Sequence, residues 1–165
     1  MSTPRFTLRL AKGDFKFSAA HFTLFGPTEA EPLHGHNYRV LVEVGGEELD
    51  ELGLLIETGI LKRRIRELLV ELDDRVLLPE RSPLLAIATG GGAVDCRFHD
   101  RAYRFPEREV VMLPLVNVTM ELLARLVWRQ LAEDLDAATA SHLAVEIEET
   151  DGQSCRYAAP LSARD

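Results

Sequence analysis

Cysteine is scarce in this chain: its 165 residues include two, Cys96 and Cys155, too few for a disulfide framework. The N-terminus lacks the apolar core of a signal segment, and no stretch is apolar enough to span a bilayer, so a reducing cytoplasm without membrane association is the expected setting. Basic residues are also in the minority. Nineteen Lys and Arg stand against 27 Asp and Glu, a formal net charge of −8. That balance argues against the clustered cationic surface that nucleic acid or an anionic membrane rewards, and a small-molecule ligand fits better. No linker or low-complexity run divides the chain. With 46% apolar residues it can bury one core, and a single domain over residues 1–165 is expected.

Three of the five histidines lie between Phe17 and Tyr38. Side chains repeat every second residue along a strand, so His34 and His36 in Leu33-His34-Gly35-His36-Asn37-Tyr38 face one side. His21 closes Phe17-Ser18-Ala19-Ala20-His21, where Phe17, Ala19 and His21 share a face, and a hairpin would bring it back toward the pair. Three neutral imidazoles without a fourth side chain are the donor set of a catalytic zinc site, whose open position takes water or substrate. The competing explanation is two unrelated histidine positions. His99 and His142 stand alone and read that way, whereas the spacing of the trio is harder to reach by accident.

Arg5 to Phe22 alternates as one long strand, and Asn37 to Val44 reads as its antiparallel partner, with a turn at Gly45-Gly46. Ile60, Leu61, Ile65, Leu68, Leu69 and Leu72 recur at helical spacing opposite a basic stripe that reads as a solvated face. Asp73-Asp74 ends this helix, and a loop containing Pro79 and Pro83 follows. Gly90-Gly91-Gly92 lacks the surroundings of a phosphate loop and reads as a flexible turn. Val94 to Phe105 and Glu109 to Leu113 form short strands separated by Pro106. A second helix begins at Thr119 with Glu121 in its first turn, where a carboxylate suits the helix dipole; a capping box from Asn117 or Val118 accounts for the same residues. Ala144 to Ile147, continuing through Glu149 toward Tyr157, supplies the last strand. The order β-β-α-β-β-α-β predicts an α+β fold, an antiparallel sheet with two helices on one face.

The motifs Phe17-Ser18-Ala19-Ala20-His21, Leu33-His34-Gly35-His36-Asn37-Tyr38, Leu72-Asp73-Asp74, Asn117-Val118-Thr119-Met120-Glu121 and Glu149-Thr150 together resemble the 6-pyruvoyl-tetrahydropterin synthase and 6-carboxytetrahydropterin synthase superfamily, in the same order and over most of the chain. The resemblance implies a tunnelling fold (T-fold). It also implies a homo-oligomer, a trimer or a hexamer of paired trimers, with active sites at subunit interfaces. It implies Zn2+ on His21, His34 and His36, and a pterin substrate whose ring is anchored by Glu149 with help from Thr119 and Glu121. A carboxylate suits that task because it accepts two hydrogen bonds from the amino-pyrimidine edge.

The chain also departs from the pattern. Synthases of this family use a cysteine before His-Gly-His, assisted by an Asp-His pair at the helix end; here Thr28, Glu29, Ala30 and Glu31 occupy the cysteine's neighbourhood and Asp74 follows Asp73. Glu31-Pro32-Leu33-His34-Gly35-His36 resembles the Glu-x-x-His-Gly-His version, which implies Glu31 as base in cleavage of a dihydroneopterin-type side chain to 6-hydroxymethyl-dihydropterin. A zinc ion on the side-chain oxygens would acidify the hydroxyl whose proton leaves, and Asp73 or Asp74 would return a proton. Equally, Glu29 and Glu31 read as loop acids and Asp73-Asp74 as a helix-ending pair. Three functions are carried forward: this lyase, a conventional 6-carboxy- or 6-pyruvoyl-tetrahydropterin synthase on dihydroneopterin triphosphate, and a non-catalytic pterin-binding paralogue.

Overall fold

The computed structural model describes residues 4–135 and 138–162, so the ends of the 1–165 span and residues 136–137 lie outside the described residues. The strand β3 (His34–Gly46) organises the fold. Its alternation puts Val40, Val42 and Val44 on one buried face, and the same face continues through Tyr38 to His36 and His34. A hydrophobic stripe therefore runs directly into a polar one. Gly45 and Gly46, expected to turn the chain, belong to this strand. A Cβ on Gly46 would meet the Thr139 carbonyl and come within 2.7 Å of Leu55, so glycine serves close packing there and not a turn.

The expected strand from Arg5 to Phe22 is interrupted. Its two halves, β1 (Phe6–Leu10) and β2 (Lys16–His21), both run antiparallel to β3, β1 against the Val42–Gly46 end and β2 against the His34–Arg39 end. Between them the Phe15 N–H closes a turn onto the Lys12 carbonyl at 3.0 Å, and the Val40 N–H donates to the Phe15 carbonyl at 2.8 Å. The last strand is likewise two, β9 (His142–Thr150) and β10 (Gln153–Pro160), a hairpin whose β9 arm lies along the other side of β3.

Helix α1 (Thr58–Leu72) starts where Glu57 accepts the N–H groups of Gly59 and Ile60, satisfying donors that a helix leaves unpaired. Helix α2 (Met120–Asp134) starts on Thr119, whose hydroxyl accepts the Leu122 N–H, so the cap is Thr119 and not Asn117 or Val118. Both helices bury their apolar sides on the face of the sheet that carries Val40, Val42, Val145 and Ile147. Trp128 of α2 is sunk in this core and donates its indole N–H to the Leu143 carbonyl at 2.8 Å. No helix among the described residues is long and apolar enough to cross a membrane.

The region after α1, expected to be a loop, forms β4 (Arg75–Pro79), which pairs parallel with β2 and with β8 (Val110–Leu113). The α+β arrangement stands, but the sheet, in the order β10-β9-β3-β2-β4-β8 with β1 beside β3, is mixed at this edge and not wholly antiparallel. Parallel pairing needs a long return connection, and residues 80–109 supply it as a separate three-stranded sheet: β5 (Ala86–Gly90), β6 (Ala93–Phe98) and β7 (Arg101–Pro106). Gly91 and Gly92, with φ of +61° and +76°, form the two-residue loop between β5 and β6, a backbone that favours glycine at both positions. The small sheet has its own core of Val94, Cys96 and Phe98 against Phe22, Leu24 and Leu78.

Candidate metal and substrate site

The site lies where the buried face of β2 and β3 turns polar. In the antiparallel register His21 is directly opposite His34, Ala19 opposite His36, and Phe17 opposite Tyr38. The small Ala19 leaves room for the imidazoles, and ring centroids of His21, His34 and His36 stand 4.7–5.5 Å apart. One nitrogen from each ring can be chosen so that all lie within 4.8 Å of one another. Behind them Tyr38 stacks on Phe17 at 4.7 Å, so the polar cluster rests on an aromatic floor.

Backbone carbonyls orient two of the rings. The Nδ1 of His34 is 2.8 Å from the Pro32 carbonyl, and that of His21 is 3.1 Å from the Val118 carbonyl. A carbonyl can only accept, so each Nδ1 carries the proton and each Nε2 presents a lone pair. The His21 Nε2 is buried without a hydrogen-bond partner; Glu149 Oε1, 3.1 Å away, is an acceptor as well and brings it no proton. Burial holds His21 below the usual histidine range, with the neighbouring His34 and His36 acting in the same direction against Val118 and Glu149. A buried, neutral imidazole with an unused lone pair, beside two more rings, fits a divalent metal of the zinc type.

Two carboxylates border the rings. Glu149 comes from β9 on the same sheet face: its Oε1 accepts the Tyr38 hydroxyl at 3.0 Å and is 3.3 Å from the His36 Nε2. Burial, followed by the charge of Glu149, raises the Tyr38 pKa, so the phenol stays protonated and donates. Glu31 approaches from the β2–β3 connection, its Oε2 4.0 Å from the His34 Nε2 and accepting the Thr23 N–H at 3.0 Å. Burial pushes the Glu31 carboxyl up, but hydrogen bonds from Thr23 and the facing His34 and His21 outweigh it, and the net direction is down. Glu31 is therefore ionised at neutral pH.

The other residues singled out in the sequence are placed differently. Asp73 Oδ1 accepts the Ser18 N–H at 2.7 Å, and the Asp74 N–H donates to the Ser18 carbonyl at 2.7 Å. Ser18 alternates with Ala19, so these contacts belong to the strand edge; Asp74 lines a cleft of about 440 Å3 with Ser18, Asn37 and Arg75. Within one chain the pair is not brought to Glu31. Thr119 is occupied as the α2 cap, directly after the Val118 carbonyl that holds His21. Glu121 stands near Cys155, whose thiol is pushed up by burial and then by Glu121 and Glu146.

Tyr38, Asn117 and Arg101 also contribute to the site, in roles that the sequence did not assign to them. Tyr38 was legible, being two residues beyond His36 on the same face. Asn117 brackets Leu24, accepting its N–H at 3.1 Å and donating to its carbonyl at 2.9 Å. Arg101 donates to the Ala30 and Glu31 carbonyls, and nothing in its local sequence marks it.

Comparison with known proteins bears on this arrangement. The family model described as 6-pyruvoyl tetrahydropterin synthase matches residues 11–160. A Pyrococcus abyssi protein provisionally named 6-carboxy-5,6,7,8-tetrahydropterin synthase is 31% identical over 120 residues, 72% of this chain and 71% of that protein. A Methanocaldococcus jannaschii protein with the same provisional name is 27% identical over 145 residues, 86% of this chain and 88% of that one. Among solved structures, a Plasmodium vivax 6-pyruvoyltetrahydropterin synthase superposes with a TM-score of 0.87 at 27% identity, over 93% of this chain and 97% of that one; it is a catalytic residue mutant in which alanine replaces a glutamate.

Proposed function

The chain belongs to the 6-pyruvoyl tetrahydropterin synthase family and has its T-fold, and from that premise we propose that it is a zinc-dependent lyase acting on the side chain of a dihydroneopterin-type pterin, with Glu31 as the base. The observation that carries this reading is the placement of Glu31. An ionised carboxylate, held by the Thr23 N–H at 3.0 Å, stands 4.0 Å from one of three clustered histidines. The glutamate replaced in the Plasmodium vivax catalytic residue mutant supports a carboxylate in this role.

A zinc ion on His21, His34 and His36 would supply Lewis-acid polarisation of the side-chain oxygens. Glu31 takes the proton from the hydroxyl on the second side-chain carbon. The bond between the first and second carbons then breaks, its electron pair passing to the first carbon. The second carbon leaves as an aldehyde, and a proton returned to the first carbon gives 6-hydroxymethyl-dihydropterin. Glu149, which accepts the Tyr38 hydroxyl beside the rings, is the carboxylate that would meet the pterin, and Thr119 and Glu121 would assist it in this reading. Asp73 and Asp74, bonded to the Ser18 backbone, take part in this reading across a subunit interface, as a trimer or hexamer would provide. The reading treats residues 1–165 as one pterin-binding domain working in the cytoplasm, where the free thiols of Cys96 and Cys155 are at home.

The names of the archaeal relatives favour a second reading, a 6-carboxytetrahydropterin synthase. Offering zinc-loaded protein dihydroneopterin and dihydroneopterin triphosphate in parallel, and identifying products by mass, separates the two. Hydroxymethyl-dihydropterin with an aldehyde is the expected result, and Glu31→Gln should lower its rate by at least about 100-fold while pterin binding survives. A carboxy or pyruvoyl product would establish the second reading. Tight pterin binding without any product would leave a binding paralogue.

A further inference from the structure

Glu31 stands in the connection between β2 and β3, where regular pairing is limited to the bridge between Leu24 and Ala30. A base must hold its carboxylate to a fraction of an ångström, and an unsupported loop does not. Two sets of contacts support it. On the outgoing limb Asn117 brackets Leu24 through both its N–H and its carbonyl, while the Glu31 N–H donates to the Thr23 carbonyl at 3.0 Å. The returning limb is held by Arg101, at the start of β7, whose Nη1 donates to the Glu31 carbonyl at 2.6 Å and Nη2 to the Ala30 carbonyl at 3.0 Å.

The geometry of this second contact is specific. The Ala30 and Glu31 carbonyls belong to the two peptide planes on either side of the Glu31 Cα. A planar guanidinium binding both sets the orientation of both planes, and thereby the direction in which the side chain leaves the backbone. Arg101 is itself anchored. It is paired with Phe98, which is buried, and two residues further along β7 Tyr103 stacks on Phe22 at 5.5 Å. The small sheet thus meets the Glu31 loop twice, through an apolar contact beneath it and a cationic fork at its end.

We propose that Arg101 is a positioning residue for Glu31, and that the three-stranded sheet of residues 86–106 is the platform from which it acts. It works through the backbone, since both of its hydrogen bonds end on carbonyls. The inference rests on Glu31 being the base.

The test uses full-length, metal-loaded protein and the product assay above, with Arg101→Met, which keeps an apolar stem without donors, and Arg101→Lys, which keeps the charge and donors but loses the planar fork that fixes both peptide planes. The expected result for Arg101→Met is a fall in kcat of about 10- to 100-fold with KM and metal per chain unchanged, and partial recovery in Arg101→Lys. In a Glu31→Gln background, Arg101→Met should cause no further loss, because the group it positions is already gone. Should Arg101→Met fail to fold, Arg101→Lys carries the test: lowered kcat at unchanged KM and metal content supports the proposal, and wild-type kcat overturns it. Three other results overturn it: kcat of Arg101→Met within about twofold of wild type, an equal loss in the Glu31→Gln background, or metal content falling in step with kcat. If Glu31→Gln alone leaves kcat untouched, the base assignment fails first, and that outcome is distinct from a failure of Arg101.

Discussion

Replacing Tyr38 by Phe removes one oxygen from the floor of the candidate site and leaves its packing in place. The ring is fully buried and stacks on Phe17 at 4.7 Å, and Phe keeps both features, so no cavity term enters. What disappears is the hydrogen bond from the hydroxyl to Glu149 Oε1 at 3.0 Å. Bonds to charged groups contribute about 1.5–3 kcal/mol, and Glu149, whose side chain is only 12% exposed, has little water to replace the lost donor. The expected loss is therefore about 2 kcal/mol, read as a lower urea midpoint at unchanged slope. The assay belongs in chelator at fixed protein concentration, because metal binding or assembly would add stability by mass action and mask the difference. Glu149→Gln keeps an acceptor but loses the charge, and the double variant should show a coupling of about 1 kcal/mol. A loss below about 0.5 kcal/mol for Tyr38→Phe, or additivity in the cycle, would show that phenol and carboxylate are not bonded and would remove Tyr38 from the site.

Two further predictions concern metal and thiol chemistry. His34→Ala should leave a folded protein, since that side chain is one-third exposed, yet sharply reduce zinc per chain by elemental analysis; full occupancy would sink the three-histidine assignment. Burial pushes the Cys96 thiol up to about 11, so at pH 8 only about one molecule in a thousand carries the thiolate, and alkylation should wait for unfolding. The sign for stability follows. The unfolded thiol ionises near its ordinary value of 9.0 and the folded one only near 11, so between them the native state binds more protons. Its contribution is intact below pH 9 and falls as pH rises, by up to about 3 kcal/mol above 11. Cys96→Val should lack that share of the alkaline decline, and rapid labelling of native Cys96 at pH 8 would contradict its burial.

The legible part of the fold was what short periods control. Alternation placed Val40, Val42 and Val44 on one face, and the 3.6-residue repeat located both helices close to their observed positions. The strand from Arg5 to Phe22 was read without its interruption because Ala11 to Phe15 break the ladder through a backbone turn and not through a Pro. The parallel strand β4 was missed because its worth depends on β2 and β8 lying on either side of it, and parallel partners are distant in sequence by necessity. Short strands were legible between Val94 and Leu113, but not that β6 pairs with β7 while β8 joins β4, nor where the small sheet packs, because its partners, Phe22, Leu24 and the Glu31 loop, lie far back in the chain.

By itself the sequence determined that His34, His36 and Tyr38 share a face, because a strand's period of two admits no other arrangement, and it determined the family through motifs in order. Only the tertiary structure decided what meets those residues. It set His21 opposite His34, brought Glu149 to the rings by laying β9 along β3, and swung Arg101 under the Glu31 loop while turning Asp73 and Asp74 to the strand edge. Strand register and sheet order are settled by burying the whole apolar surface at once, a collective result that no local pattern of residues encodes.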